Sequence, residues 1–323
     1  MNYALAYGTG DFNPHFFNIA PLLTYCLFFI YGLFFIIGRI FGYFHTIKDF
    51  AYLYLNNPTF FYIIGRMVLG VFCGTASVLV LYSLGKRYFN RATALLASFF
   101  LAFNFLHVRD SHYIYFDIPL TLFVLIFFLK AHDLFKRARR IDYIQLGALF
   151  GLAISVKYQG ISLSLPFFII ILYNFMISKN IKISERISYL IWCGSAFLAV
   201  IFISNPFLFF NISEFKNSIS KFPYIPVSPL FHLKISLFNG CGASMVIFGM
   251  IGMIWASIKR SKAVIIVMFI LFYYALITKA TQPGERVVLP IVPLILLFAA
   301  FPIAEIYNAI KNKIPAIAFL SLV

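Results

Sequence analysis

Between Ala92 and Arg140 the chain reads ATALLASFFLAFNFL (92–106), HVRDSHYIYFD (107–117), IPLTLFVLIFFLKAHDLF (118–135) and KRARR (136–140). Two apolar runs are joined by a turn dense in charge, and the second run ends in a basic cluster. A hydrocarbon core of about 30 Å takes roughly 20 apolar residues per helical crossing, so the stretch reads as two successive membrane helices. Lys and Arg collect in cytoplasmic loops. The basic cluster is therefore expected inside and the 107–117 turn outside.

The rest of the chain repeats this pattern. Of its 323 residues 62% are hydrophobic, 20% aromatic and only 11% charged, and the mean hydropathy is +0.93. A water-soluble domain carries about a quarter charged residues, so soluble, disordered, collagen-like and disulfide-scaffold classes are excluded. Cys26, Cys73, Cys193 and Cys241 lie in or beside apolar runs without metal-site spacing, and read as small buried hydrophobes. The formal charge of +16 comes from 26 Lys and Arg against 10 Asp and Glu. The basic residues gather in five clusters: Lys86, Arg87 and Arg91; Lys130, Lys136, Arg137, Arg139 and Arg140; Lys179, Lys182 and Arg186; Lys259, Arg260 and Lys262; and Lys311 with Lys313. Clusters at alternate loops report orientation and not a polyanionic ligand, so no nucleic-acid partner is expected.

With all five clusters inside, spans follow at about 60–84, 92–106, 119–134, 144–156, 161–177 and 187–204. After a long external loop come 241–258, 263–277 and 287–306, and residues 314–323 begin one more exit. The expected fold is an all-α integral membrane protein, a polytopic helical bundle of about nine to eleven membrane helices. The 144–156 span is short, which implies that its outer end is buried in protein or faces a watery cavity. Residues 21–37 are apolar enough to span. Their aromatic content and the flanking Arg39, Tyr43, His45 and Lys48 also suit a helix lying at the outer interface.

Polar residues concentrate on the outer side. The 107–117 turn holds Asp110 and Asp117 with His107, Arg109 and His112, and the cost of charge beside lipid makes such a group a candidate site. On a continuing helix Asp110 and Asp117 would share one face, able to orient an acceptor hydroxyl or share a divalent cation. Asp117, just before Ile118 and Pro119, could instead cap a helix. Arg109 could simply pair with Asp110, and Arg286 with Glu285. Lys157, at the outer end of the short span, could snorkel to water. The alternative for Arg286 and Lys157 is to hold a phosphate, which a guanidinium grips in bidentate fashion. The histidines match no zinc spacing, and no metal ligand set is assigned. Carboxylates able to activate a hydroxyl beside cations able to hold a phosphate are the parts of a lipid-phosphate-dependent transferase. A transporter would more naturally place its polar groups near mid-membrane on broken helices.

Several motifs in order carry a resemblance: Gly10-Asp-Phe-Asn-Pro-His-Phe-Phe17, Pro21-Leu-Leu with Tyr25, Gly85-Lys-Arg-Tyr-Phe-Asn90, His107-Val-Arg-Asp-Ser-His-Tyr113, Asp117-Ile-Pro-Leu120, Gly151-Leu-Ala-Ile-Ser-Val-Lys-Tyr158, Asn205-Pro-Phe207 and Glu285-Arg-Val-Val-Leu-Pro-Ile-Val-Pro-Leu294. This set resembles the dolichyl-phosphate-mannose protein mannosyltransferases and aminoarabinose lipid A transferases of the GT-C superfamily. The resemblance implies a membrane glycosyltransferase that moves a sugar from a polyprenyl-phosphate-linked donor to a protein, lipid or polysaccharide acceptor with inversion. It implies an extracytoplasmic site in a bacterial or archaeal plasma membrane. Asp117 and Asp110 would be the catalytic carboxylates here. Arg286, Lys157, Arg109, His112, Glu285, His15 and Asn13 would bind donor phosphate or substrate. The chain would form one transmembrane domain, with residues 1–59 part of the first external loop and 60–323 the bundle. Family members carry a further first helix and an acidic motif upstream of the Gly10–Phe17 stretch, so the chain is expected to be truncated at both ends and to lack that general base. An inactive protein of the same fold, acting as a scaffold or lipid-binding partner, is the alternative reading.

Overall fold

The computed structural model describes residues 2–178, 181–221, 228, 230–279 and 284–320. The regular structure of the described residues is all helical, with no strand among them. In chain order the principal helices are α1 (Leu22–Ile40), α2 (Ile47–Asn56), α3 (Thr59–Tyr88), α4 (Arg91–Ala102), α5 (Phe105–Asp110), α6 (Asp117–Arg137) and α7 (Arg140–Val156). They are followed by α8 (Ser164–Ile177), α9 (Ile183–Ser204), α10 (Ile212–Ser220), α11 (Ala243–Lys259), α12 (Val264–Lys279) and α13 (Val292–Leu320). The expected spans fall on α3, α4, α6 to α9 and α11 to α13. Seven helices among the described residues are long and apolar enough to cross a membrane, or eight if the bent pair His232–Cys241 and Ala243–Lys259 counts as one.

Local sequence explains where these helices start. Asn90 accepts the Thr93 amide at 2.9 Å and Asn104 the His107 amide at 3.0 Å, capping α4 and α5. Thr46 and Asp49 form a capping box at the head of α2. Pro119, Pro166 and Pro293 sit in the first turns of α6, α8 and α13, where their missing N–H costs nothing.

The surface is inverted relative to a soluble protein. Phe29, Phe168, Ile203 and Ile258 are all more than 60% exposed, whereas Asp110, Asp117, Asp142 and His132 are buried. Exposed apolar area on this scale needs lipid against it, and the protein is a multi-pass integral membrane protein. At the centre lies the segment Glu285–Ile310, whose most apolar window is 94% buried. A helix apolar all round belongs in the core, and α4 and α11 pack along it.

The bundle has two polar faces. On one, Arg87 pairs with Asp133, Asn90 donates to Glu305 at 3.2 Å, and the Lys262 amine lies over the Phe135 ring at 5.8 Å. These contacts gather the first, second and fourth basic clusters on one face, as expected for loops on a common side. Lys311 and Lys313 lie outside the described side chains. One expectation fails here: α13 continues to Leu320, so residues 314–320 prolong the preceding helix and do not start a return crossing. The helix runs on through Lys311-Asn-Lys313 and Pro315 without a break.

The opposite face carries the loops. Leu22, Tyr25, Cys26 and Phe29 of α1 share a groove with Leu152, Val200 and Ile203, near the loop-face ends of α7 and α9. Further along α1, Tyr31 donates to the Phe61 carbonyl at 3.1 Å and Phe34 packs on the Phe60 and Phe61 rings. A 19-residue helix that meets three loop-face helix ends along its length lies across that face.

The short helix α7 ends in protein, as its length implies. Val156 is fully buried, and Ser155 is tied to Ser204 and Asn205 by 2.7 Å hydrogen bonds. The chain then folds back in a 3₁₀ turn, Tyr158–Leu163. A Cβ at Gly160 would run into the backbone of Ala153, so only glycine lets the turn close and fix Lys157 at its start. Gly160→Val is accordingly expected to abolish function and lower thermal stability of the purified protein, whereas the same change at exposed Gly8, where a Cβ meets open space, is expected to be silent.

Candidate active site

The 107–117 turn is two helix ends and a link. Helix α5 stops at Asp110, residues 111–116 are non-helical, and α6 starts at Asp117. The stretch is a turn between helices, as expected, and the continuing helix on which Asp110 and Asp117 would share a face does not form. The break brings them close enough to interact electrostatically all the same.

Asp117 does not act as a helix cap. The N-cap position of α6 is Phe116, without a side-chain cap bond. The buried Asp117 carboxylate instead accepts from Lys157 Nζ at 2.6 Å, and Arg286 Nε lies 3.7 Å from its second oxygen. The Arg286 guanidinium also stacks over the Tyr115 ring, 3.9 Å from its centroid. Arg286 thus turns away from its neighbour Glu285, which pairs with Arg109 at 2.6 Å. Arg109 holds Asp110 through two bonds of 2.8 and 3.1 Å. The six charges thus form two triads, Asp110–Arg109–Glu285 and Lys157–Asp117–Arg286, whose formal charges of −1 and +1 cancel. Tyr273 is buried and donates to the carbonyl of Val287, the residue after Arg286, at 2.7 Å.

The remaining expected site residues lie apart from these triads. His112 is exposed and its ring Nδ1 meets the Val108 carbonyl at 2.7 Å within its own helical turn. Asn13 and His15 form a second cluster: His15 contacts Asp11 at 2.9 Å and Glu214 of α10 at 3.2 Å, and Asn13 donates to Glu214 at 3.4 Å. The hydrogen bonds from Asp11 and then Glu214 raise the His15 pKa. Sequence reasoning missed Tyr115, Tyr273 and Glu214. Aromatic residues are so abundant here that neither tyrosine stood out, and Glu214 lies about 200 residues from its partners.

Among the described residues no three His, Cys, Asp or Glu side chains come together in a way that would hold a metal ion. Each of the buried aspartates Asp110, Asp117 and Asp142 is paired with one of the protein's own cations.

Burial pushes the Asp110 carboxyl above its ordinary range, against the opposing pull of Arg109. A raised folded-state pKa means that folding takes up a proton. The associated stability is complete below the ordinary carboxyl value, and it is lost as pH rises through the raised one. Arg109→Met removes the opposing cation and leaves Asp110 buried and unpaired, a loss of about 3 kcal/mol at pH 8. Part of this deficit should return at pH 5, read as unfolding temperature in detergent; a deficit equal at both pH values would contradict the assignment.

Comparison with known proteins agrees with this architecture. The structure of ArnT from Cupriavidus metallidurans in the apo state superposes with a TM-score of 0.61 at 14% identity, covering 99% of this chain and 57% of that one. The same protein bound to undecaprenyl phosphate gives 0.60, with the same identity and coverage. The archaeal oligosaccharyltransferase AglB from Archaeoglobus fulgidus, in complex with an inhibitory peptide and a dolichol-phosphate, gives 0.52 at 14% identity, covering 93% of this chain and 44% of that one. The chain is a polytopic helical membrane protein of GT-C type. Over residues 62–209 its sequence also matches the family model for dolichyl-phosphate-mannose-protein mannosyltransferase, a stretch that contains Arg109, Asp110, Asp117 and Lys157 but not Glu285 or Arg286. The chain spans little more than half the length of the ArnT structures. No curated protein sequence matches it.

Proposed function

We propose that this chain is a membrane glycosyltransferase, or the membrane part of one, that moves a sugar from a polyprenyl-phosphate donor to an acceptor hydroxyl with inversion. The observation that carries the reading is the buried Asp117 carboxylate held between Lys157 and Arg286 at the loop face of a GT-C-type bundle.

The acceptor oxygen attacks C1 of the sugar, the bond from C1 to the phosphate oxygen breaks, and the acceptor proton passes to a carboxylate. Asp117, in contact with both cations that take the leaving phosphate, positions them and does not take that proton, which an inverting attack releases on the opposite side of the sugar. The donor is a phosphodiester with one negative charge, and the departing polyprenyl phosphate is a monoester approaching two. Arg286 and Lys157 therefore interact more strongly with the transition state than with the bound donor, which is the condition for a rate gain. Arg109 and Glu285 hold α5 against the turn that presents Arg286, and so position it. His15, Asn13 and Glu214 join the N-terminal segment to α10 above the same face, where an acceptor would arrive. The site is extracytoplasmic in this reading, because the opposite face holds the basic clusters, and the membrane is a bacterial or archaeal plasma membrane. Residues 1–323 act as one transmembrane unit, with protein, lipid or polysaccharide as acceptor.

The test is transfer itself. Full-length protein in proteoliposomes is given undecaprenyl-phosphate hexoses labelled in the sugar, together with membranes of its own host as acceptor source. Incorporation of label that requires the lipid-linked donor, and is not replaced by free or nucleotide-linked sugar, supports the proposal; solute flux without donor consumption contradicts it.

A further inference from the structure

The basic face of the bundle is unevenly balanced. At the end of α3 and the start of α7 an arginine has an acid of its own: Arg87 pairs with Asp133, and Arg139 with Asp142 at 3.0 Å. Elsewhere on that face the cations stand without acids. The link from α11 to α12 carries Lys259, Arg260 and Lys262, and the last turn of α6 carries Lys136 and Arg137. The two segments meet where the Lys262 amine lies over the Phe135 ring at 5.8 Å. All five cations are exposed, and among the described residues none of them is paired with a carboxylate.

The preference of inner loops for Lys and Arg accounts for the side on which these residues lie. It does not account for five of them at one contact with no acid, because like charges gathered there repel one another and oppose the packing of the two segments. Such a cluster calls for an anion from outside the protein.

Its surroundings indicate which kind. Lys259 lies over the Trp255 ring at 5.0 Å, so two of the amines rest on aromatic side chains. Just along the same helices the surface is apolar: Ile254 and Ile258 of α11 are 67% and 79% exposed. On α8, Tyr173 packs edge-on against Phe135 at 5.4 Å, and Met176, one turn further, is 64% exposed. In a membrane protein such side chains face acyl chains. A partner that sets negative charge against the cations and hydrocarbon against this flank is an anionic phospholipid. A free phosphate or a nucleotide would meet the charges and leave the apolar flank uncovered.

We infer that the junction of the α6 tail with the α11–α12 link binds an anionic phospholipid of the inner leaflet, with its phosphate at Lys136 and Lys262 and its acyl chains along Ile258 and Met176. The inference does not depend on the glycosyltransferase reading; it needs only the membrane and the side on which the basic clusters lie.

The experiment is native mass spectrometry of the full-length protein in mild detergent, titrated with phosphatidylglycerol or with phosphatidylcholine of the same acyl chains. Wild type should bind phosphatidylglycerol about tenfold more tightly or better, since each basic residue beside an anionic lipid contributes about fivefold. Lys136→Gln with Lys262→Gln should weaken phosphatidylglycerol about tenfold or more on the same basis and leave phosphatidylcholine within about twofold, which also shows that the variant is folded. Lys262→Gln alone, expected to cost about fivefold, covers the case in which the double variant does not accumulate. Lys216→Gln with Lys221→Gln, on the opposite face, should leave phosphatidylglycerol binding unchanged, and inorganic phosphate at equal concentration should not displace the lipid. Equal affinity of wild type for the two lipids, equal loss from the two pairs of substitutions, no loss from the Lys136 and Lys262 pair, or displacement by phosphate would overturn the inference.

Discussion

Asp117→Asn is expected to lower sugar transfer by more than about tenfold while the protein still reaches the membrane in normal amount. The substitution keeps shape and one acceptor oxygen for Lys157 Nζ, now 2.6 Å from the carboxylate, but removes the charge that both cations face. Lys157 and Arg286 lose the anion that positions them, and losing one preorganised group that stabilises developing negative charge costs about 10²–10³-fold. The fall should appear in kcat more than in the donor KM, because the neutral amide repels neither the phosphate nor the sugar. Unchanged turnover with normal expression would remove Asp117 from the site. A variant that fails to accumulate would point instead to a purely structural ion pair, and Asp117→Ala with Lys157→Met then separates the two cases: the double variant should restore expression but not transfer, since no unpaired charge is left buried.

Arg286→Ala is expected to have the second large effect, this time on donor affinity as well as rate. Arg286 is about two-fifths exposed and touches Asp117 only through Nε at 3.7 Å, so its terminal nitrogens are placed to meet a ligand. A charge-assisted hydrogen bond contributes about 1.5–3 kcal/mol, which corresponds to roughly ten- to hundredfold weaker binding of undecaprenyl phosphate. Arg286→Lys should recover only a small part, because a lysine amine can neither fork onto a phosphate nor stack flat on Tyr115. Full recovery by lysine would show that position 286 supplies charge alone.

Much of this was legible in the sequence. Apolar runs between basic clusters placed nine helices within a few residues of their observed positions, because in lipid a segment of given length has few alternatives to a helix. Where the reading erred, local pattern was overridden. Residues 314–320 continue α13 in spite of Pro315, against the local helix-breaking signal. Asp110 and Asp117 lie on two helices because the chain leaves the helix over residues 111–116. At the site, composition identified Asp117, Lys157, Arg109 and Arg286 but not their pairing. Nearest neighbours suggested Arg286 with Glu285, whereas tertiary structure gives Arg286 to Asp117 and Glu285 to Arg109. Partnerships across 40 to 176 residues leave no local mark.

The most direct measurement is a cryo-EM structure of the full-length protein in nanodiscs with undecaprenyl phosphate. The phosphate should lie within hydrogen-bonding distance of the terminal nitrogens of Arg286, with the Lys157 amine beside it and the polyprenyl chain leaving toward lipid. A phosphate bound elsewhere, with the Asp117, Lys157 and Arg286 network unchanged and solvent-filled, would contradict the central claim that this network is the donor-phosphate site.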